Sequence, residues 1–236
     1  MSAPKDFKPA LIVVDVQEDF CPPNGALAVP DGRAILPTIN ALLGLPFVLK
    51  IASADAHPAN HVSFAANHPA PANEPFVSTA LLANPANPAE TARTRLWPVH
   101  CVAGTAGAAL VPDLDTRALD AVVRKGQDPD VEMYSAFGAA WREPRAGRTE
   151  LARLLRERNV SHVFVTGLAL DYCVRCTAVD ASEEGFVTLV VREGTRAVEG
   201  DKAGEVEREL EGLGVRMVSM EGEEVGWVKA MAAAAA

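Results

Sequence analysis

The sequence predicts an α/β fold: a doubly wound three-layer sandwich with helices on both faces of a mostly parallel central sheet of about six strands. Two observations carry this prediction. Short apolar runs recur along the chain, as in strands that are buried on both faces. Segments with helical spacing of apolar residues separate most of these runs, as in a parallel sheet. With 236 residues, a single domain over 1–236 can bury a full hydrophobic core.

The strands are predicted from continuous apolar runs. The first run, ALIVV, contains no polar residue and is typical of a strand that is covered on both faces. The six runs lie at 10–14, 47–52, 121–124, 162–166, 186–191 and 215–220.

The helices are predicted from apolar residues that recur every three or four positions. Four such segments are marked by Ile35, Leu36, Ile39, Leu42 and Leu43, by Leu151, Leu154 and Leu155, by Ala178 and Val179, and by Val206, Leu210 and Leu213.

Two further stretches of the chain have no such helical pattern. Residues 67–90, rich in proline, alanine and asparagine, are interpreted as a long ordered surface excursion, with a disordered insertion as the alternative. The alanine-rich tail at 230–236 is interpreted as a frayed helical end without a function.

The composition argues against several classes of partner. The formal net charge is −9, so nucleic acids and anionic membrane surfaces are poor partners. No apolar stretch approaches the ~18 residues of a membrane span, and the polar start of the chain is unlike a signal peptide. Four cysteines are too few for a disulfide scaffold. We expect an intracellular, cytoplasmic protein that acts on a small molecule; nuclear or peroxisomal locations and assembly into a homo-oligomer are left open.

Polar residues follow four of the predicted strands. Asp15 follows the first run, Asp55 and His57 follow the second, Lys125 ends the third, and the segment that carries Cys173 follows the fourth. Because ligands bind beyond the carboxyl ends of strands in open parallel sheets, we expect these groups on one rim. A single charged residue there often marks only the end of the core. An acid, an amine and a thiol together indicate a catalytic site.

Cys173 is the predicted nucleophile. It lies between an apolar strand and a helix, where the positive end of the helix dipole favours a thiolate and backbone N–H groups suit an oxyanion. Asp15 is the candidate proton acceptor and Lys125 the candidate charge partner; a plain salt bridge is the alternative. Cys173 could instead be a buried structural cysteine, or could form a C-x-x-C redox pair with Cys176.

Asp55, His57 and His100 are the predicted ligands of one divalent metal ion. Two imidazoles and a carboxylate suit a transition metal and leave positions open for water or substrate. The residues alone do not separate zinc, iron and manganese. Pro58 favours the turn that would bring Asp55 and His57 to one ion. The other histidines are one weaker ligand candidate, His61, and two that are interpreted as structural, His68 and His162.

Two aromatic residues lie close to these groups in the sequence. Phe20 follows the Asp15 segment, and Trp97 precedes His100 by three positions. Either could be a core residue. Either could also stack on a flat substrate ring, and this interpretation is preferred for Trp97.

Five ordered blocks resemble one family. They are Asp15-Val-Gln-Glu-Asp-Phe-Cys, Asp55-Ala-His-Pro-Ala-Asn-His-Val-Ser-Phe, Trp97-Pro-Val-His-Cys, Lys125-Gly with Tyr134-Ser-Ala-Phe, and Gly167-Leu-Ala-Leu-Asp-Tyr-Cys-Val. Together they resemble the nicotinamidase (pyrazinamidase) branch of the isochorismatase-like cysteine hydrolases, from about residue 10 to 192. Each block is weak to moderate by itself, but five in order are specific. The proline-rich excursion and the Cys-Pro-Pro after Phe20 look most like eukaryotic, fungal-type members.

The resemblance implies a metal-dependent amidohydrolase that converts nicotinamide to nicotinate and ammonia, in NAD salvage, through a thioester on Cys173. It implies a catalytic triad of Asp15, Lys125 and Cys173, and a zinc-like ion on Asp55, His57 and His100 that contacts the pyridine nitrogen. It further implies a cis peptide bond between Leu168 and Ala169, an oxyanion site made by the N–H groups of Ala169 and Cys173, and ring contacts from Phe20, Trp97 and Tyr134.

The sequence departs from the family pattern at two positions. Glu18 stands where many members have asparagine, and Leu170 where many have threonine; neither is expected to touch the triad.

Three rival functions follow from the same residues. One is a related amidohydrolase that acts on a different small amide, one a thiol redox protein that uses Cys173 and Cys176, and one a non-catalytic metal-binding domain.

Overall fold

A sheet of six parallel strands forms the centre of the computed structural model, which describes residues 3–234. In chain order the strands are β1 (Pro9–Val14), β2 (Leu49–Asp55), β3 (Thr79–Asn84), β4 (Asn87–Arg95), β5 (Ala121–Lys125), β6 (His162–Leu168), β7 (Val187–Arg196) and β8 (Arg216–Val218). The central sheet has the order β5-β2-β1-β6-β7-β8, and its neighbouring strands all pair in parallel. The prediction of a mostly parallel sheet of about six strands is confirmed.

The two middle strands of this sheet are the most apolar. All residues of β1 and of β6 are buried, because each strand has a sheet neighbour on both sides and side chains packed on both faces. The observed β2 begins two residues later than the predicted run and continues to Asp55. It extends past the apolar residues because Ser53 and Asp55 find hydrogen-bonding partners inside the protein.

Five α-helices among the described residues cover the two faces of the sheet. They are α1 (Leu36–Leu43), α2 (Leu151–Glu157), α3 (Arg175–Glu183), α4 (Ala203–Gly212) and α5 (Glu223–Ala234). Buried residues of α1 and α5 pack on one face, and those of α2, α3 and α4 pack on the other. This is the three-layer arrangement that the sequence predicts. None of the helices within residues 3–234 has the length and apolar character needed to cross a membrane.

Only the alanine-rich end of helix α5 was predicted to be helical, because the segment before it gives no clear amphipathic pattern. Val225 and Val228 nevertheless have no exposed surface and complete one core. Residues 230–234 of the alanine-rich tail continue this helix, and 235–236 lie outside the described residues.

A hairpin that sequence patterning missed begins in the surface excursion and extends beyond it to Arg95. β3 and β4 pair antiparallel with each other and form a separate two-stranded sheet. Their alanine, asparagine and proline residues give no alternation of apolar and polar side chains, which is the signal for a half-buried strand. The hairpin is anchored through Leu82, which packs in a small cluster with Val131, Met133 and Trp141.

Candidate active site

The carboxyl ends of the central strands bring the polar residues to one rim. Asp15 directly follows β1, and Asp55 at the end of β2 pairs in register with Lys125 at the end of β5. The turn after β6 carries Cys173. Gly167 in β6 has φ +111°, and a Cβ at this position would lie 2.0 Å from a carbonyl oxygen of β1. The absence of a side chain therefore lets β6 and its turn approach β1 closely.

An acid, an amine and a thiol meet at this rim. The Nζ atom of Lys125 lies 3.0 Å from Asp15 Oδ2 and 3.6 Å from Cys173 Sγ. All three residues are buried. The Ser53 hydroxyl donates a 2.7 Å hydrogen bond to the second carboxylate oxygen of Asp15. Asp15 also has φ +48°, a backbone conformation that residues with side chains seldom adopt outside constrained sites.

Burial decides the protonation of this cluster. Desolvation raises the pKa of Asp15, although Lys125 and Ser53 act against it. Desolvation and the two nearby carboxylates also raise the pKa of the Cys173 thiol well above its ordinary value, with Lys125 opposing. Burial disfavours the Lys125 ammonium, but Asp15, Asp55 and Cys173 together raise its pKa well above the usual value, so it stays charged. A buried thiol beside a proton-accepting carboxylate and a fixed cation is an arrangement for nucleophilic catalysis.

Cys173 stands at the start of a helix after β6, as the sequence predicts. Leu170–Val174 form one π-helical turn, and this turn runs directly into α3 at Arg175. Desolvation is nevertheless the largest influence on the pKa of the thiol. The thiol depends on a neighbouring base for its activation, and Asp15 is placed to serve as that base.

Asp55, His57 and His100 converge on one point. One donor atom of each lies within 4.8 Å of the others, and His57 Nε2 is 3.6 Å from Asp55 Oδ2. The Nδ1 atoms of His57 and His100 bond to the carbonyl oxygens of Gly126 and Pro98, each at 2.8 Å. Because a carbonyl only accepts, each Nδ1 carries a hydrogen, and in the neutral ring each Nε2 presents its lone pair. Oriented in this way, the set fits a divalent transition metal.

Lys125 connects the thiol to these three residues. Its Nζ donates a 2.6 Å hydrogen bond to Asp55 Oδ1 and a 2.9 Å bond to the carbonyl of Met133. Burial alone would raise the pKa of Asp55, but Lys125 and His57 outweigh it and hold this pKa well below its usual range. Asp55 is therefore an anion with one oxygen on Lys125 and the other toward His57. The predicted catalytic residues and the predicted metal ligands, which the sequence suggested separately, are therefore joined through Lys125.

A narrow, partly open cavity lies between the thiol and the two histidines. Phe20, Trp97, Tyr134 and Ala169 all line it. Trp97 is held from two sides: its Nε1 donates to the Tyr134 hydroxyl at 3.0 Å, and its ring meets Tyr172 edge-on at 4.9 Å. The Leu168–Ala169 peptide bond at the cavity floor is cis.

His61 lies beside the three convergent residues without offering a donor atom. Its Nδ1 bonds to the Ser63 hydroxyl at 2.7 Å and its Nε2 to the Val131 carbonyl at 3.3 Å. The ring packs on His57 with centroids 4.1 Å apart, and burial lowers the pKa of His61 to about 4. His61 is therefore a neutral support for the His57 ring. His68 and His162 do not belong to the ligand cluster found among residues 3–234.

The other residues that the sequence analysis considered have ordinary environments. Cys173 and Cys176 are both free thiols, and Cys176 lines a different cavity from Cys173. The Glu18 carboxylate pairs with Arg33, and Leu170 is buried in the core. The two departures from the family pattern therefore have local partners.

Sequence reasoning missed several residues that position this site. Gln17 bonds to the backbone of Asp55 in both directions: its Nε2 donates to the carbonyl at 2.9 Å, and its Oε1 accepts from the N–H at 2.8 Å. Tyr172 lines the cavity. Gly126 has φ +65° and leaves room for the His57 ring. Gln17 and Tyr172 stand inside the quoted blocks, so their position beside predicted catalytic residues was the available signal.

The chain is similar in sequence and in fold to several known proteins. The isochorismatase domain model matches residues 9–221. A nicotinamidase from Acinetobacter baylyi is 40% identical over 190 residues, which are 80% of this chain and 82% of that protein. The crystal structure of yeast nicotinamidase bound to the inhibitor nicotinaldehyde superposes with a TM-score of 0.82 at 33% identity, over 89% of this chain and 99% of that one. A pyrazinamidase from Pyrococcus horikoshii in complex with zinc superposes with a TM-score of 0.67 at 33% identity, over 90% and 99%.

Proposed function

The chain belongs to the isochorismatase domain family, and from this premise we propose that it is an amidohydrolase that converts nicotinamide to nicotinate and ammonia. One observation carries the proposal. Lys125 Nζ contacts Asp15, Asp55 and the sulfur of Cys173 at the wall of a small aromatic cavity. This single cation joins a nucleophile, its base and a metal-ligand carboxylate, which is what hydrolysis of an amide on a flat nitrogen heterocycle requires.

The first half of the reaction forms a thioester. Asp15 takes the proton of the Cys173 thiol, and the sulfur attacks the carboxamide carbon. The backbone N–H groups of Ala169 and Cys173 hold the oxygen that becomes negative. Asp15 then gives its proton to the amide nitrogen, the C–N bond breaks, and ammonia leaves. The raised pKa of Asp15 suits a group that must both accept and return a proton.

The second half restores the enzyme. Asp15 takes a proton from a water molecule, which attacks the thioester carbon. The C–S bond breaks, the thiol recovers its proton, and nicotinate leaves. Throughout these steps Lys125 keeps a positive charge beside the reacting groups, because its own pKa lies well above neutrality.

Asp55, His57 and His100 would hold one divalent metal ion, and we propose zinc. The donor set and the two oriented Nε2 atoms suit it, and zinc is present in the Pyrococcus horikoshii relative. When bound, the ion supplies a Lewis-acidic position that orients the pyridine nitrogen of the substrate. Phe20, Trp97 and Tyr134 enclose the ring, so that the carboxamide points at Cys173.

Ammonia release from nicotinamide tests the proposal. Cys173→Ala should lose activity by several orders of magnitude and keep its fold and metal content. Cys176→Ala is the matched control, because it removes a thiol three residues away that lines a different cavity; its rate should stay near that of the wild type. Comparable activity of Cys173→Ala would refute the nucleophile.

Metal analysis tests the second half of the proposal. Chelation and His57→Ala should each remove the metal and the activity, and added zinc should restore only the chelated wild type. A His57→Ala protein that keeps both metal and activity would refute the ligand assignment. We further propose that the protein acts in NAD salvage, because nicotinamide is the proposed substrate, and that it acts in the cytoplasm. Faster release of ammonia from an aliphatic amide would favour a different small amide instead.

A further inference from the structure

On the outer side of the ring-binding cavity, an arginine lies against two aromatic rings and has no role in the proposed reaction. Arg95, the last residue of β4, places its guanidinium carbon 5.7 Å from the ring centre of Trp97 and 5.9 Å from that of Tyr172. Both distances are within the range of cation–π attraction. Both rings line the catalytic cavity. One cation thus contacts two adjacent parts of the cavity wall.

An ion pair fixes this cation in place. Arg95 Nη1 lies 2.8 Å from Glu199 Oε1, in the segment that follows β7. The backbone of this segment is held in turn by Asp171, whose two carboxylate oxygens accept the N–H groups of Val198 and Glu199, each at 2.9 Å. Val198 lines the cavity, and Asp171 precedes Tyr172 directly. The hairpin, the segment after β7 and the nucleophile turn therefore meet at this point.

The two rings have no other cation above them among residues 3–234. From the inner side, Trp97 is fixed by the Tyr134 hydroxyl. From the outer side, its ring touches Arg95 and, at 5.8 Å, the ring of Phe76 in the surface excursion. Trp97 and Tyr172 are nearly perpendicular at 85°, an edge-to-face contact that depends on both rings keeping their orientation.

We propose that Arg95 is a positioning residue for substrate binding: held by Glu199, it clamps Trp97 and Tyr172 in the orientation that forms the ring-binding wall. This rests on the proposed function. It also assigns a purpose to the hairpin, which delivers the cation to the cavity from outside. Because the wall contacts the ring in the ground state and the transition state alike, loss of the clamp should weaken binding and leave the chemical step unchanged.

Steady-state kinetics on nicotinamide test the clamp. Arg95→Met keeps much of the side-chain stem and removes the charge; its KM should rise by about three- to tenfold with kcat nearly unchanged. Arg95→Lys should recover part of the loss. Arg93→Met is the matched control: it lies two residues earlier in β4, is exposed, and makes no ion pair among residues 3–234. Its KM and kcat should match the wild type.

Glu199→Gln provides an independent variant if Arg95→Met fails to fold. It should raise KM in the same direction. The double variant with Arg95→Met should be no worse than Arg95→Met alone, because Glu199 acts on the ring wall through Arg95, while its other ion-pair partner, Lys202, is exposed. Unchanged KM in both single variants, a fall in kcat at constant KM, or an equal effect of Arg93→Met would overturn the proposal. Absence of ammonia release by the wild type would instead refute the proposed function, so the two failures are distinguishable.

Discussion

Replacing Gly126 by alanine would test how the second ligand residue is held. A Cβ at this position would lie 2.4 Å from His57 Cε1 and 2.5 Å from Nδ1. Non-bonded carbon atoms keep about 3.5–4.0 Å between them, so the ring or the backbone must move by about 1 Å. Either movement disturbs the 2.8 Å hydrogen bond from His57 Nδ1 to the Gly126 carbonyl and shifts Nε2 away from Asp55 and His100.

The expected magnitude has two parts. Alanine at φ +65° costs about 1–2 kcal/mol of backbone energy, which lowers the free energy of unfolding. Disturbing the group that orients a metal-binding histidine typically weakens metal binding by about 10- to 100-fold. Zinc affinity is measured by competition with a chelator, and the free energy of unfolding by urea titration of the metal-free protein.

The control variant Gly185→Ala separates the backbone cost from the effect on metal binding. Gly185 has φ +92°, and a Cβ there would meet no atom within 4 Å. This variant should lose stability through the backbone alone and keep the zinc affinity of the wild type. If Gly126→Ala binds zinc within about twofold of the wild type and unfolds like Gly185→Ala, the reasoning about the His57 ring is refuted.

Three further variants test the supports of the site. Ser53→Ala removes a hydrogen bond to ionised Asp15, so the pKa of Asp15 should rise and the acidic limb of the kcat/KM profile should move to higher pH by about one unit; an unmoved limb contradicts Asp15 as the base. In the metal-free protein the lowered pKa of His61, about 4, means that the unfolded chain binds more protons between that value and about 6.5. Stability should therefore fall as pH falls through this window, by up to ~1.4 kcal/mol per pH unit, and urea titrations of His61→Phe should show a shallower slope; an identical slope argues against the shift. Gln17→Leu leaves the buried N–H and carbonyl of Asp55 without their partner, so it should lower the free energy of unfolding by about 3 kcal/mol and weaken metal binding; wild-type urea midpoints would argue against this role.

Local patterns in the sequence were sufficient for the main architecture. Apolar runs such as 10–14 are long enough to identify strands, and the periodic leucines of α1 and α2 identify helices, because both signals come from neighbouring residues. Helix α5 and the β3–β4 hairpin carry no such signal. Their alanine-rich segments are stabilised by contacts with distant residues, as Val225 and Leu82 illustrate.

The candidate active site also has features that the sequence predicts and features that it does not. That Asp15, Asp55, Lys125 and Cys173 lie at the ends of strands is a property of the sequence, and parallel strands must then present them at one rim. The protonation state of Cys173 could not be predicted from the sequence. The helix dipole favours the thiolate, but burial has the larger effect, and burial depends on the finished cavity.

By itself, then, the chain determined the layered sheet and the identity of its reactive groups, because periodicity and residue type are local. Only the tertiary structure decided which groups touch. Lys125 reaches a carboxylate 70 positions away and a thiol 48 positions away because β5, β2, β1 and β6 are adjacent in this order. Distances of this kind are set by strand register and the turns that end each strand, and neither is encoded in any short stretch of residues.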